Sequence, residues 1–224
     1  MKPIEAASEH FTIIHWERDS QVIEGMLEVL ENSYNRITSF LQVELLEKCV
    51  LHVYPDISKL HEGIGRTGAP DWVAGNFDKE SKIISIVSPN NPGEEHDYES
   101  VMAIAVHELV HLAAELVNGE VPDYLSEGLA TYLANQDGNT NEYIHEDLLN
   151  NSFPTMAQLK TMTDGVYQYG YAFVEYVVSE YGEANMLKLY KTADIGMTLS
   201  ISEEEFHQKW KGHLISNSSR QFLK

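Results

Sequence analysis

The sequence is poor in cysteine and has no long apolar run, and each shortage excludes a class of protein. Cys49 is the only cysteine among 224 residues, so no disulfide can form within the chain. This usage suits a reducing compartment. The opening residues, MKPIEAASEHF, contain one lysine and no apolar stretch, unlike a secretory signal. No stretch approaches the roughly 18 apolar residues that span a bilayer. We therefore expect a cytoplasmic protein with no membrane partner.

Basic residues are also scarce. The chain has 15 Lys and Arg against 35 Asp and Glu, which gives a formal net charge of −20. A field of this sign repels phosphate backbones, so we expect no nucleic-acid partner. The same field attracts cationic substrates, but a high negative charge also serves solubility alone.

The remaining composition and patterning predict a folded α+β protein. Hydrophobic residues make up 43%, enough for a core, and the length suits a single domain over residues 1–224. Period-2 segments and period-3.6 spacing predict strands over 10–16, 49–55, 72–77 and 82–89 and a long amphipathic helix over 21–47. The last two strands flank a turn and predict an edge hairpin. We expect a small, mainly antiparallel sheet in residues 1–97, followed by a helical half, 98–224.

The strongest chemical signal is the segment His-Glu-Leu-Val-His at residues 107–111. It lies in a strongly helical, apolar run, where His107 and His111 are one turn apart and leave the helix from one face. Two neutral imidazoles in this arrangement can bind a divalent ion, and nitrogen ligands with an open coordination position favour zinc. Glu108 can approach a water bound to that ion. The alternative is a pair of hydrogen-bonded core histidines.

A catalytic zinc site needs a third protein ligand, and the candidate lies in the next helical segment. Residues 121–132 read VPDYLSEGLATY and predict a helix beginning near Pro122. Glu127 lies on this segment, 16 residues after His111, which allows the first helix to end and a second to return against it. Without the upstream motif, the favoured interpretation of Glu127 is an exposed helix carboxylate.

The two segments together resemble the gluzincin zinc metallopeptidases, in particular the aminopeptidase N type and the small peptidase MA-like domains. In those families His-Glu-x-x-His is followed by Trp-Leu-Asn-Glu-Gly-x-Ala-x-Tyr, whose glutamate is the third zinc ligand. This chain has Tyr124 for the tryptophan and Ser126 for the asparagine, and neither change affects a ligand. The resemblance implies a zincin, thermolysin-like catalytic domain with zinc on His107, His111 and Glu127. It covers residues 98–190 well and the first 97 more loosely.

A third match lies downstream, where residues 167–176 read YQYGYAFVEY. They are similar to the Tyr-x-x-Gly helix start of the same family, whose first tyrosine donates a hydrogen bond to the developing oxyanion. The resemblance gives this role to Tyr167. Tyr169 and Tyr171 are close enough to remain alternatives, and aromatic packing is the common fate of all three.

The strand before the motif helix departs from the aminopeptidase N pattern. Those enzymes have Gly-x-Met-Glu-Asn there, and its glutamate holds the free amine of the substrate. This chain has Ala74-Gly75-Asn76 with no glutamate among them. We therefore predict a zinc-dependent peptidase that cuts peptides or proteins internally, with Glu108 as general base and Tyr167 as oxyanion donor.

Two other functions fit parts of the sequence. One is a regulatory or interaction module that binds zinc without turnover, although a purely structural site does not need Glu108. The other is an acidic interaction protein, such as a nucleic-acid mimic, in which the motif is fortuitous. Metal analysis separates the second alternative from both zinc proteins.

Overall fold

In the part of the chain that the structure describes, five strands and ten α-helices form two compact units. The computed structural model describes residues 3–137, 140–150 and 152–221. The strands are β1 Pro3–Ala7, β2 Phe11–Trp16, β3 Cys49–Tyr54, β4 Gly75–Asp78 and β5 Ile83–Val87. The helices are α1 Ser20–Leu41, α2 Ile57–Gly63, α3 Tyr98–Glu115, α4 Asp123–Leu133, α5 Thr140–Leu149, α6 Met156–Leu159, α7 Val166–Tyr181, α8 Glu183–Thr192, α9 Ile195–Leu199 and α10 Glu203–Gln221. The units are Met1–Leu116 and Val117–Lys224, so α3 groups with the sheet, whereas the sequence pattern divided the chain near residue 97.

The sheet of the first unit has the strand order β1-β2-β3-β5-β4. The β1–β2 and β4–β5 pairs are antiparallel, but β2–β3 and β3–β5 are parallel. The α+β class and the edge hairpin agree with the prediction, whereas the expectation of a mainly antiparallel sheet is wrong. The reason is connectivity: α1 carries the chain from β2 back across the sheet, and such a crossover makes the two strands parallel.

Helix α1 has the predicted apolar face but is shorter than predicted. Its buried residues recur at helical spacing: Ile23, Met26, Leu30, Tyr34, Ile37 and Leu41. The helix ends because Gln42 adopts a left-handed conformation with φ 54°. The N–H groups of Gln42 and Val43 then bond back to the carbonyls of Ser39 and Thr38, the pattern of a Schellman ending. Residues 42–47, predicted as helix, are therefore outside it.

The core of the first unit lies between the sheet and two helices. Alternate residues of the central strands are fully buried, including Phe11, Ile13, Leu51, Ile84 and Ile86. Helix α1 contacts β2, helix α3 contacts β4 and β5, and the two helices pack against each other. This packing places α3, which carries residues 107–111, directly against the β4–β5 hairpin.

The turn of this hairpin is organised by Asp78. Its carboxylate accepts hydrogen bonds from the Glu80 N–H and the Ser81 hydroxyl, both at 2.9 Å, and these bonds lower the pKa of Asp78. Lys82 closes the turn with φ 57° and a 2.8 Å bond to the carbonyl of Asp78. Within the described part of the chain β4 pairs only with β5, so its other edge is open.

Every described element of the second unit is a helix, and loops connect the helices. Helix α7 is its centre and contacts α4, α5, α8 and α10. Aromatic side chains fill the core around it: Phe153, Tyr169, Phe173, Tyr176, Phe206 and Trp210. At the start of α10 the Ser202 hydroxyl accepts the N–H of Glu205 at 3.1 Å, as a helix cap does. None of the described helices in either unit combines the length and apolar character needed to cross a bilayer.

Candidate metal site

Helix α3 carries the central motif and has a well-defined start. The Asp97 carboxylate accepts the N–H of Ser100 at 2.8 Å, and the Ser100 hydroxyl accepts the N–H of Asp97 at 2.9 Å. This reciprocal pair forms a capping box that satisfies two of the N–H groups exposed at a helix start. The helix then runs unbroken through residues 107–111 to Glu115, so the motif lies in regular α-helix as predicted.

His107 and His111 lie one turn apart on α3, and their rings approach each other. The two Nε2 atoms are 3.0 Å apart, and the ring centroids are 4.7 Å apart. Two imidazole nitrogens that bind one tetrahedral ion at about 2.0–2.1 Å are roughly 3.3 Å apart. The backbone of α3 therefore holds both nitrogens close to the separation that one metal ion requires.

Glu127, on α4, completes a three-residue group. One ligand atom each from His107, His111 and Glu127 lies within 4.8 Å of the others. His107 is buried, at 7% exposed, while His111 and Glu127 are half-buried. Two imidazole nitrogens and one carboxylate oxygen suit a divalent transition metal and leave a fourth tetrahedral position for another ligand. This group can hold a metal ion, and it contains all three residues predicted as ligands.

Glu108 is not part of the ligand group but lies beside it on α3. Glu108 is buried, at 8% exposed, and its carboxylate lies against Gly75, the first residue of β4. A Cβ built on Gly75 would be 2.9 Å from Oε1 of Glu108 and 2.4 Å from Cγ2 of Ile104. Glu108 can occupy this position only because Gly75 has no side chain.

The segment that contains Glu127 also has a close contact at a glycine, where helix α4 meets helix α7. A Cβ on Gly128 would lie 2.3 Å from the carbonyl carbon of Gly170, and a Cβ on Gly170 would lie 2.4 Å from the carbonyl oxygen of Tyr124. Helices α4 and α7 therefore cross with their backbones in contact at these glycines. Any side chain there would push the helices apart.

The three candidate tyrosines of α7 have different surroundings. Tyr169 is 1% exposed and its hydroxyl donates to the Asp147 carboxylate; burial and this bond raise its pKa. Tyr171 is half-buried, and burial followed by the charge of Glu175 raises its pKa to about 12. Tyr167 is 39% exposed. Around the axis of α7, Tyr167 and Tyr171 are about 40° apart, and the Tyr171 ring lies 5.9 Å from the ring of Tyr132 on α4, whereas Tyr169 points to the opposite side of the helix.

The sequence pattern missed the role of the glycines. In the sequence, Gly128 and Gly170 stood out only as members of the Glu127 and Tyr167 motifs. Gly75 was noted only because its segment lacks the glutamate of the aminopeptidase N pattern. A lone glycine within a strand is a recognised sign of close approach by another group. Which group approaches depends on tertiary packing, so no local pattern could have named Glu108 as the neighbour of Gly75.

Comparison with known proteins adds no relative. No protein-family model matches the chain, and none of the curated proteins searched is similar to it. The resemblance to gluzincins therefore rests on the motif residues alone.

Proposed function

We propose that this protein is a zinc-dependent peptidase in which His107, His111 and Glu127 bind the metal. The observation that carries the proposal is that one ligand atom of each of these residues lies within 4.8 Å of the others, with a second glutamate, Glu108, buried on the same helix as the two histidines. Two imidazoles favour zinc over harder ions such as magnesium or calcium. A site that served structure alone would have no use for the Glu108 carboxylate, whose burial costs free energy.

The proposed reaction is hydrolysis of a peptide bond by water. Bound zinc would lower the pKa of a water ligand towards about 7 and polarise the substrate carbonyl. Glu108 accepts a proton from the attacking water and passes it to the leaving amine. The hydroxyl of Tyr167 donates a hydrogen bond to the oxyanion as charge develops. Because water is the nucleophile, no covalent enzyme intermediate forms.

Strand β4 is the proposed surface for the substrate backbone. Its open edge offers unpaired N–H and carbonyl groups to an extended peptide, which would bind as an additional strand. Gly75, at the start of this strand, lies against Glu108, so a peptide on this edge would lie close to the proposed base. The net charge of −20 favours cationic peptides among possible substrates.

Internal cleavage is favoured over removal of N-terminal residues. The strand Gly75–Asp78 has one carboxylate, that of Asp78, and this group is occupied by the hairpin turn. Within β4 no other acidic side chain is present to hold the free amine of a substrate. We therefore propose an endopeptidase.

A peptide-library digest with zinc-loaded protein tests the proposal. Wild type and Glu108→Gln are compared, since the substitution removes the base but keeps the size of the side chain. Wild type is expected to cleave peptides, and the variant is expected to keep its zinc and fold while losing hydrolysis by several orders of magnitude. Zinc bound by both proteins without cleavage by either would favour an inactive zinc-binding module. Absence of bound zinc would favour an acidic interaction protein with a fortuitous motif.

A further inference from the structure

Gly75 has no conformational reason to be glycine. Within the described residues, the glycines with positive φ are at positions 65, 68, 93, 165 and 182, so the backbone of Gly75 is open to any L-residue. Glycine inside a strand loses more conformational entropy on folding than other residues and packs no side chain. The reason for a glycine at position 75 must therefore lie in the atoms that surround its Cα.

Two side chains of α3 fill that space. Ile104 and Glu108 are one helical turn apart, so both project from the same face of α3 towards β4. A Cβ on Gly75 would lie 2.4 Å from Cγ2 of Ile104 and 2.9 Å from Oε1 of Glu108, both closer than ordinary van der Waals contact. The β-branched Ile104 side chain is stiff, whereas the end of Glu108 can rotate away.

We propose that Gly75 is a positioning residue for the reaction: its bare Cα fixes where the Glu108 carboxylate lies beside the β4 edge. This inference rests on the proposed function, in which Glu108 is the base. A methyl group at residue 75 would displace the carboxylate by about 0.5 Å, from 2.9 Å to the 3.4 Å at which ordinary contact begins. A misplacement of about 1 Å can cost about 100-fold in rate, so about 10-fold is expected here.

Gly75→Ala alone cannot test this, because the new methyl group also collides with Ile104 and can disturb packing. The matched design uses three variants: Gly75→Ala, Ile104→Ala and the double variant. Ile104→Ala removes the closest contact and leaves two longer ones, at 2.9 Å to Oε1 of Glu108 and at 3.1 Å to Cδ1 of Ile86 on β5. Each zinc-loaded protein is assayed for stability, zinc content, and kcat and KM on an N-terminally blocked peptide.

The double variant is expected to be about as stable as Ile104→Ala and to retain its zinc, with kcat about 10-fold below that of Ile104→Ala and KM unchanged. A double variant with the kcat of Ile104→Ala would show that Gly75 acts only through packing on Ile104 and Ile86. If wild type cleaves no peptide, the proposed function fails and this inference with it; if wild type cleaves normally, only this inference is at stake.

Discussion

The crossing of α4 and α7 at Gly128 and Gly170 gives the sharpest prediction of stability. In Gly128→Ala the new Cβ would meet the backbone of Gly170 at 2.3 Å, and a backbone cannot rotate away as a side chain can. Overpacking a core costs about 1–3 kcal/mol, and contact with backbone places this case near the upper end. Alanine returns up to about 1 kcal/mol through its better helix propensity. The expected net loss is about 2 kcal/mol in the free energy of unfolding.

Gly212→Ala is the matched control. Gly212 is also within a helix, α10, but a Cβ there would meet no described atom within 4 Å. This variant should gain up to about 1 kcal/mol from helix propensity alone. The two glycine-to-alanine changes should therefore differ by about 3 kcal/mol, although their chemistry is identical.

Urea unfolding followed by circular dichroism measures the difference, because the described elements of the second unit are all helices. Metal affinity measured on the same proteins should fall in Gly128→Ala, since Glu127 is the preceding residue on α4, and stay unchanged in Gly212→Ala. The reasoning would be refuted if both variants were stabilised to a similar extent. That outcome would mean that α4 and α7 are not in backbone contact at Gly128.

Four further predictions concern the site. His111→Ala should remove most of the bound metal, and wild-type metal content in elemental analysis would overturn the ligand assignment. Tyr167→Phe should lower kcat by roughly 10²–10³ with little change in KM. Tyr169→Phe should leave kcat unchanged and cost about 1.5–3 kcal/mol in urea unfolding, because its hydroxyl donates to the Asp147 carboxylate; the reverse result would exchange their roles. Blocked peptides should be cleaved faster than free amino-acid anilides, and the opposite preference would indicate an aminopeptidase.

The metal group was predictable because its geometry is mostly local. An α-helix fixes the separation of residues four apart, so the spacing of His107 and His111 already placed both rings on one face. The prediction of Glu127 as a ligand needed a further step, namely that a second helix follows α3 after a short connection. The structure has that helix beginning at Asp123, one residue after the proline that marks its start.

The sheet was less predictable because strand pairing depends on distant parts of the chain. The strands β2 to β5 were visible from their alternation, but their order and direction depend on how α1 and α2 carry the chain between them. Strand β1 was missed because PIEAA has few of the β-branched and aromatic residues that strands favour. Its five residues are also mostly exposed, so no alternation of buried and exposed positions marks them.

Each of the two glutamates of the proposed site lies beside a glycine at a close contact between elements. Glu108 lies over Gly75, and Glu127 precedes Gly128 at the α4–α7 crossing. The two glycines act on different parts of the chemistry, since one supports the proposed base and the other supports a metal ligand. If this division holds, Gly75→Ala in the Ile104→Ala background should lower kcat at full metal content, whereas Gly128→Ala should lower metal affinity together with stability. Loss of metal in the Gly75 variants would contradict it, because Glu108 would then contribute to metal binding as well as to proton transfer.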